Sequence, residues 1–99
     1  MIEELRKLFA EMQSIMLAEG ESNWIRGIKN VVNTLSKDNP ACDEEKIRDA
    51  GNTYKSMNRG AGSFDDYYIQ RSDFNEQLEA NRRFDEIRGR VWELLKRGQ

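Results

Sequence analysis

Residues 2–20 read IEELRKLFAEMQSIMLAEG, and the spacing of their apolar side chains decides the fold class. Ile2, Leu5, Phe9, Met12 and Met16 step by threes and fours, Leu8 and Ile15 widen the stripe, and Glu3, Glu4, Arg6, Lys7 and Glu11 occupy the other faces. That is the period of an amphipathic α-helix with one buried side. The helix should end at Glu19-Gly20, because glycine readily adopts the left-handed conformation that closes a last turn.

The same period continues beyond that stop. Ser22 is placed to cap a second helix carrying Trp24, Ile25, Ile28, Val31, Val32 and Leu35, which runs out at Lys37-Asp38-Asn39-Pro40, where the residue before proline is pushed from helical geometry. A third, less apolar helix should begin near Cys42 or Asp43. Its acidic opening Asp43-Glu44-Glu45 suits the positive end of a helix dipole. Its expected core contacts are Ile47, Ala50, Tyr54 and Met57, while Gly51 in its interior costs about 1 kcal/mol relative to alanine. After the glycine-rich stretch Asn58-Arg59-Gly60-Ala61-Gly62-Ser63, Phe64 to Ile69 reads as a helical turn or loop, since a lone strand would have nothing to pair with. Asp73-Phe74-Asn75-Glu76 resembles a capping box opening a long final helix, with Phe74, Leu78, Phe84, Ile87, Val91, Leu94 and Leu95 inward. The expected fold is therefore an all-α, compact bundle of about four helices with a glycine-rich loop before the long C-terminal helix, one domain over residues 1–99.

Composition narrows the function classes. Of 99 residues, 37% are hydrophobic and 34% charged, enough of the first to build a core and enough of the second to coat it. A formal net charge of -2 with interleaved signs gives no electrostatic case for binding nucleic acid or an anionic membrane. The Met-Ile-Glu-Glu start lacks the basic then apolar layout of a secretory leader, so a cytoplasmic location is expected. With one cysteine, Cys42, and no histidine, neither an internal disulfide nor a zinc site is expected, and no metal or cofactor. The missing histidine also removes the usual proton-transfer group near neutral pH, which argues against an enzyme.

The remaining candidate residues concentrate in one segment. Gly60, Gly62 and Ser63 form a loop that could cradle an anion, but no strand precedes it and no Gly-Lys-Ser/Thr ending follows, so turn geometry is the stronger reading. Asp65 and Asp66 could act as an acid and base pair or hold a hard cation, although neighbours on a turn point apart and two carboxylates rarely complete a site. Trp24 and Trp92 lie on or beside apolar stripes and read as core or groove residues. The arginines of the last helix, Arg82, Arg83, Arg88 and Arg90, alternate with Asp85, Glu86 and Glu93 and read as a solvated face with local ion pairs.

Trp24, the run Arg59-Gly60-Ala61-Gly62-Ser63-Phe64-Asp65-Asp66 and a long last helix containing Trp92 together resemble a family of small bacterial domains of unknown function. That family carries Gly-Gly-Met-Gly-Ser-Phe/Leu-Asn-Asp at the loop. The match rests on Gly60, Gly62, Ser63, Phe64 and Asp66, with Arg59 in place of the first glycine and Asp65 in place of asparagine. The resemblance implies a helical fold with an ordered glycine loop and no particular reaction. By type, the chain is also similar to bacterial immunity proteins, which neutralise toxins. Toxin nucleases are basic where they grip nucleic acid, so an inhibitor needs carboxylates with aromatic anchors, and Asp65, Asp66, Tyr67 and Tyr68 supply both within four positions. Asp43, Glu44 and Glu45 are a second candidate patch. The expected partner is thus a cognate protein toxin, with a homodimer on an uncovered apolar helix face, or an anion- or metal-binding enzyme using Asp65 and Asp66, as alternatives.

Overall fold

A computed structural model describes residues 1–59 and 63–97 as four α-helices, with no strand among the described residues. Helix α1 spans Ile2–Ala18 and buries Ile2, Leu5, Phe9, Met12 and Met16, the stripe read from the sequence. Its end follows the expected glycine stop. Gly20 has φ +70°, the Gly20 amide donates to the Leu17 carbonyl at 3.1 Å, and the Glu21 amide donates to the Met16 carbonyl at 3.0 Å. These two bonds satisfy carbonyls that the helix would otherwise leave without donors.

Helix α2, Ile25–Leu35, starts differently from expectation: Glu21, not Ser22, closes its N-terminus. One Glu21 carboxylate accepts the amides of Asn23 at 2.7 Å and of Trp24 and Ile25 at 2.8 Å. The longer side chain reaches back over three amides, and its charge sits at the positive end of the dipole. The other end of α2 is also held by side chains from elsewhere. The carbonyl of Thr34 accepts from Asn39 Nδ2 at 2.8 Å, that of Leu35 from Arg6 Nε at 2.5 Å, and that of Ser36 from Lys46 Nζ at 2.8 Å.

That last bond explains a departure in α3, Asp43–Met57. Ala50, Tyr54 and Met57 are buried as expected and Ile47, half-buried, packs against the core as expected, but its neighbour Lys46 is buried as well. An ammonium can be enclosed there because it covers carbonyls at a helix C-terminus. Gly51 is buried as well, and a Cβ on it would meet Leu95 Cδ2 at 3.4 Å, an ordinary van der Waals contact, so the packing against the last helix does not require glycine there.

Helix α4, Phe74–Arg97, runs against α1 and buries Phe84, Ile87, Val91, Leu94 and Leu95. The inward assignments of Phe74 and Leu78 are wrong: they are 70% and 55% exposed. Leu78 and Phe84 are six positions apart, and at about 100° per residue that carries the stripe round to another face. Ala80 packs against the core in their stead. The arginine face is also less local than the sequence suggested. Arg90 Nε meets Glu4 Oε2 at 2.6 Å and Arg83 Nε meets Glu11 Oε2 at 2.6 Å, so residues seven apart on α4 bridge residues seven apart on α1. Arg82 keeps to local pairs, with Glu86 as the sequence suggested and also with Glu79, which it did not. The buried side chains of all four helices, with Phe64 and Ile69, form one cluster.

Candidate functional site

The segment between α3 and α4 is fastened to that cluster at two positions, Phe64 and Ile69. Phe64, first residue of a 3-10 turn Phe64–Asp66, is fully buried. Its ring lies 6.0 Å from Trp24, 6.0 Å from Tyr54 and 6.1 Å from Phe84, edge to face in each case, and 6.0 Å from Tyr67 in a parallel stack. Such offsets pair the positive edge of one ring with the negative face of the next. The Arg88 guanidinium stands 4.7 Å from the Phe84 centroid and 5.6 Å from that of Phe64, and its Nη1 donates to the Phe64 carbonyl at 3.2 Å. The turn is therefore gripped from ring, backbone and charge together.

Ile69 is the second fastening. It is 2% exposed, and the Asn81 side chain treats its backbone as a neighbouring strand would: Oδ1 accepts the Ile69 amide at 2.7 Å while Nδ2 donates to the Ile69 carbonyl at 2.7 Å. Two residues on, the Arg71 guanidinium makes a two-pronged ion pair with Glu19 at the end of α1. The Arg71 amide also donates to Gln77 Oε1 at 3.0 Å.

With Phe64 and Ile69 fixed inward, the residues between them are sorted. Asp65 and Asp66 are exposed, Tyr67 is half-buried against Phe84 at 5.6 Å, and Tyr68 is 52% exposed. The structure thus brings Asp65, Asp66, Tyr67 and Tyr68 together on one ledge. An open groove of about 450 Å³ runs beside it, lined by Glu19, Glu21, Asp66, Tyr67, Tyr68, Ile69 and Gln70. Burial raises the Tyr67 phenol above its ordinary value, and the charges of Glu21 and Glu19 add to the rise. Sequence spacing could not find the two glutamates or Asn81, because each reaches the ledge from another element.

Other candidates are distributed differently. Asp43, Glu44 and Glu45 stand exposed in the first turn of α3, where the helix dipole accounts for them. Ser63 is buried at the start of the 3-10 turn, its carbonyl accepting the Asp66 amide at 3.0 Å, while Gly60 and Gly62 lie outside the described residues. Trp24 and Trp92 are both half-buried against the core. Cys42 is exposed before α3. Among the described residues no group of three or more acidic or cysteine side chains is arranged to hold a metal, and no helix is long and apolar enough to cross a membrane. No family model, no curated protein and no solved structure matches the chain.

Proposed function

We propose that this protein is a binding inhibitor of the immunity type, which neutralises a cognate bacterial toxin by laying the Asp65–Tyr68 ledge over a basic working surface. The observation that carries this reading is the combination of an exposed tyrosine and two exposed aspartates on a backbone fastened on both sides, by Phe64 and by Ile69. A pre-fixed loop loses little freedom on binding, an aromatic ring brings contact area with few rotors, and carboxylates speed encounter with a cationic surface. A basic partner, such as a nuclease deprived of its nucleic acid, is complementary to this set of groups.

Solvent exposure of both aspartates favours binding over catalysis, because an acid and base pair needs an enclosed position against its substrate. Inhibition from the cytoplasm, where the exposed Cys42 thiol stays reduced, belongs to the same proposal. Recovery of complexes from the native host tests it. A toxin domain that co-purifies with the wild-type chain, and whose activity falls as the chain is added, is expected. A toxin gene beside this one whose product neither binds nor loses activity overturns the proposal.

A further inference from the structure

The groove of about 450 Å³ beside the ledge has a charged lining of a single sign. Glu19, Glu21 and Asp66 line it together with Tyr67 and Tyr68, and no described lysine or arginine does. Grooves of about 340, 350 and 720 Å³ elsewhere on the molecule each carry both signs, Arg83 with Glu11, Lys37 with Asp38 and Arg82 with Glu79. We infer that the groove beside the ledge is a socket for one arginine side chain of the partner. The inference rests on the proposed function, since that arginine belongs to the basic surface the ledge covers, and it assigns the contact to one kind of side chain.

The walls are held before an occupant arrives. Glu21 is fixed by the amides of Asn23, Trp24 and Ile25, Glu19 by its two-pronged pair with Arg71, and Tyr67 by its stack on Phe64. A guest therefore orders few side chains on entering. Glu21 bonds neutral amides, so among the described residues no guanidinium or ammonium pairs with its charge, and the helix dipole offsets only part of it. Burial is the chief cause of the raised Tyr67 phenol, and the charges of Glu21 and Glu19 add to it, which puts both carboxylates within electrostatic reach of that ring. Arginine suits such walls better than lysine. Its planar guanidinium offers donor edges to carboxylates and flat faces to rings, whereas an ammonium is a strongly hydrated point charge. The chain uses both halves of that recognition around the same segment: Arg71 grips Glu19 with two bonds, and the Arg88 guanidinium stands 5.6 Å from the Phe64 centroid.

The test is a titration of the full chain with L-argininamide, L-lysinamide and the neutral L-citrullinamide at constant ionic strength, read by backbone amide NMR shifts. Argininamide should move the amides of residues 19–21 and 66–70 saturably and bind about two- to fivefold tighter than lysinamide, while citrullinamide should leave them in place. Tyr68→Ala and Glu21→Gln should each weaken argininamide by about the same factor, with a circular dichroism melt confirming that each variant is folded. Glu44→Gln, at the exposed start of α3, should leave the affinity unchanged. Shifts that fail to saturate at tens of millimolar, lysinamide or citrullinamide binding as tightly as argininamide, or an equal loss in Glu44→Gln would each overturn the socket, even where a toxin is captured and inhibited. Because the chain is titrated alone, the two readings fail separately: saturable argininamide binding at these residues upholds the socket, and a toxin that is then neither bound nor inhibited removes only the toxin as the source of the arginine.

Discussion

At the scale of single residues, the ledge depends on Asn81. Its amide supplies both an acceptor and a donor to the Ile69 backbone, groups that would otherwise be buried without partners. Asn81→Ala should destabilise the protein by about 1–3 kcal/mol in urea unfolding, and Asn81→Asp should also destabilise, since it keeps the acceptor but faces the Ile69 carbonyl with a charge. Wild-type stability in both would mean that Ile69 is held otherwise. Tyr54 presents the reverse case. Its ring packs against Phe9 at 5.2 Å and Trp92 at 5.3 Å, but its hydroxyl is buried with no well-formed hydrogen bond among the described residues, the Asn58 side chain being the polar group that acts on it. Tyr54→Phe keeps the ring contacts and removes a polar group that gains little to offset its burial, so its melting temperature should equal or exceed that of the wild type. The apolar period in the sequence was enough to place Tyr54 inward. The Asn81 clamp was not legible there, because an asparagine twelve residues from its target leaves no local pattern.

At the scale of elements, α1 and α4 are joined by carboxylate and guanidinium pairs, and these set an acid limit. Arg90 and Arg83 hydrogen-bond Glu4 and Glu11 and hold their carboxyls below the ordinary value of 4.5, as Arg71 does for Glu19 at the neighbouring end of α1. A carboxyl whose pKa is lower when folded adds stability above its unfolded value and loses it as pH falls through the folded one. The chain should therefore weaken progressively below about pH 4.5, and Glu4→Gln with Glu11→Gln should flatten that acid limb without steepening the neutral one. On the alkaline side, burial drives the Tyr54 phenol well above its ordinary 10.0. A raised phenol leaves stability intact below its unfolded value and removes it as pH climbs from 10.0 toward the folded one, so alkaline unfolding should retreat in Tyr54→Phe. An identical pH profile in these variants would contradict the assignment. The helices themselves were legible because apolar spacing, Gly20 and Pro40 are local facts. Their caps were not: Glu21 competes with Ser22 by reach, and Lys46 is buried beside Ile47 because the end of α2 lies against it. The six-residue step from Leu78 to Phe84 was visible in the sequence, and counting its phase would have put Phe74 and Leu78 outside.

At the scale of the whole molecule, the bundle acts as a frame that turns one irregular segment into a fixed surface. The four-helix class followed from periodicity, and the candidate segment followed from its concentration of turn formers, carboxylates and tyrosines. Its shape did not, because Phe64 and Ile69 are oriented by Trp24, Phe84, Arg88 and Asn81, which come from two other helices or their flanks. The central claim is that Asp65, Asp66 and Tyr68 form the contact with a basic toxin. Calorimetric titration of that toxin domain with the wild-type chain and with Asp65→Asn, Asp66→Asn and Tyr68→Ala addresses it most directly. Loss of affinity by about tenfold or more in Tyr68→Ala, with smaller losses in the aspartate variants that shrink as salt rises, is the expected result. Wild-type affinity in all three would contradict it.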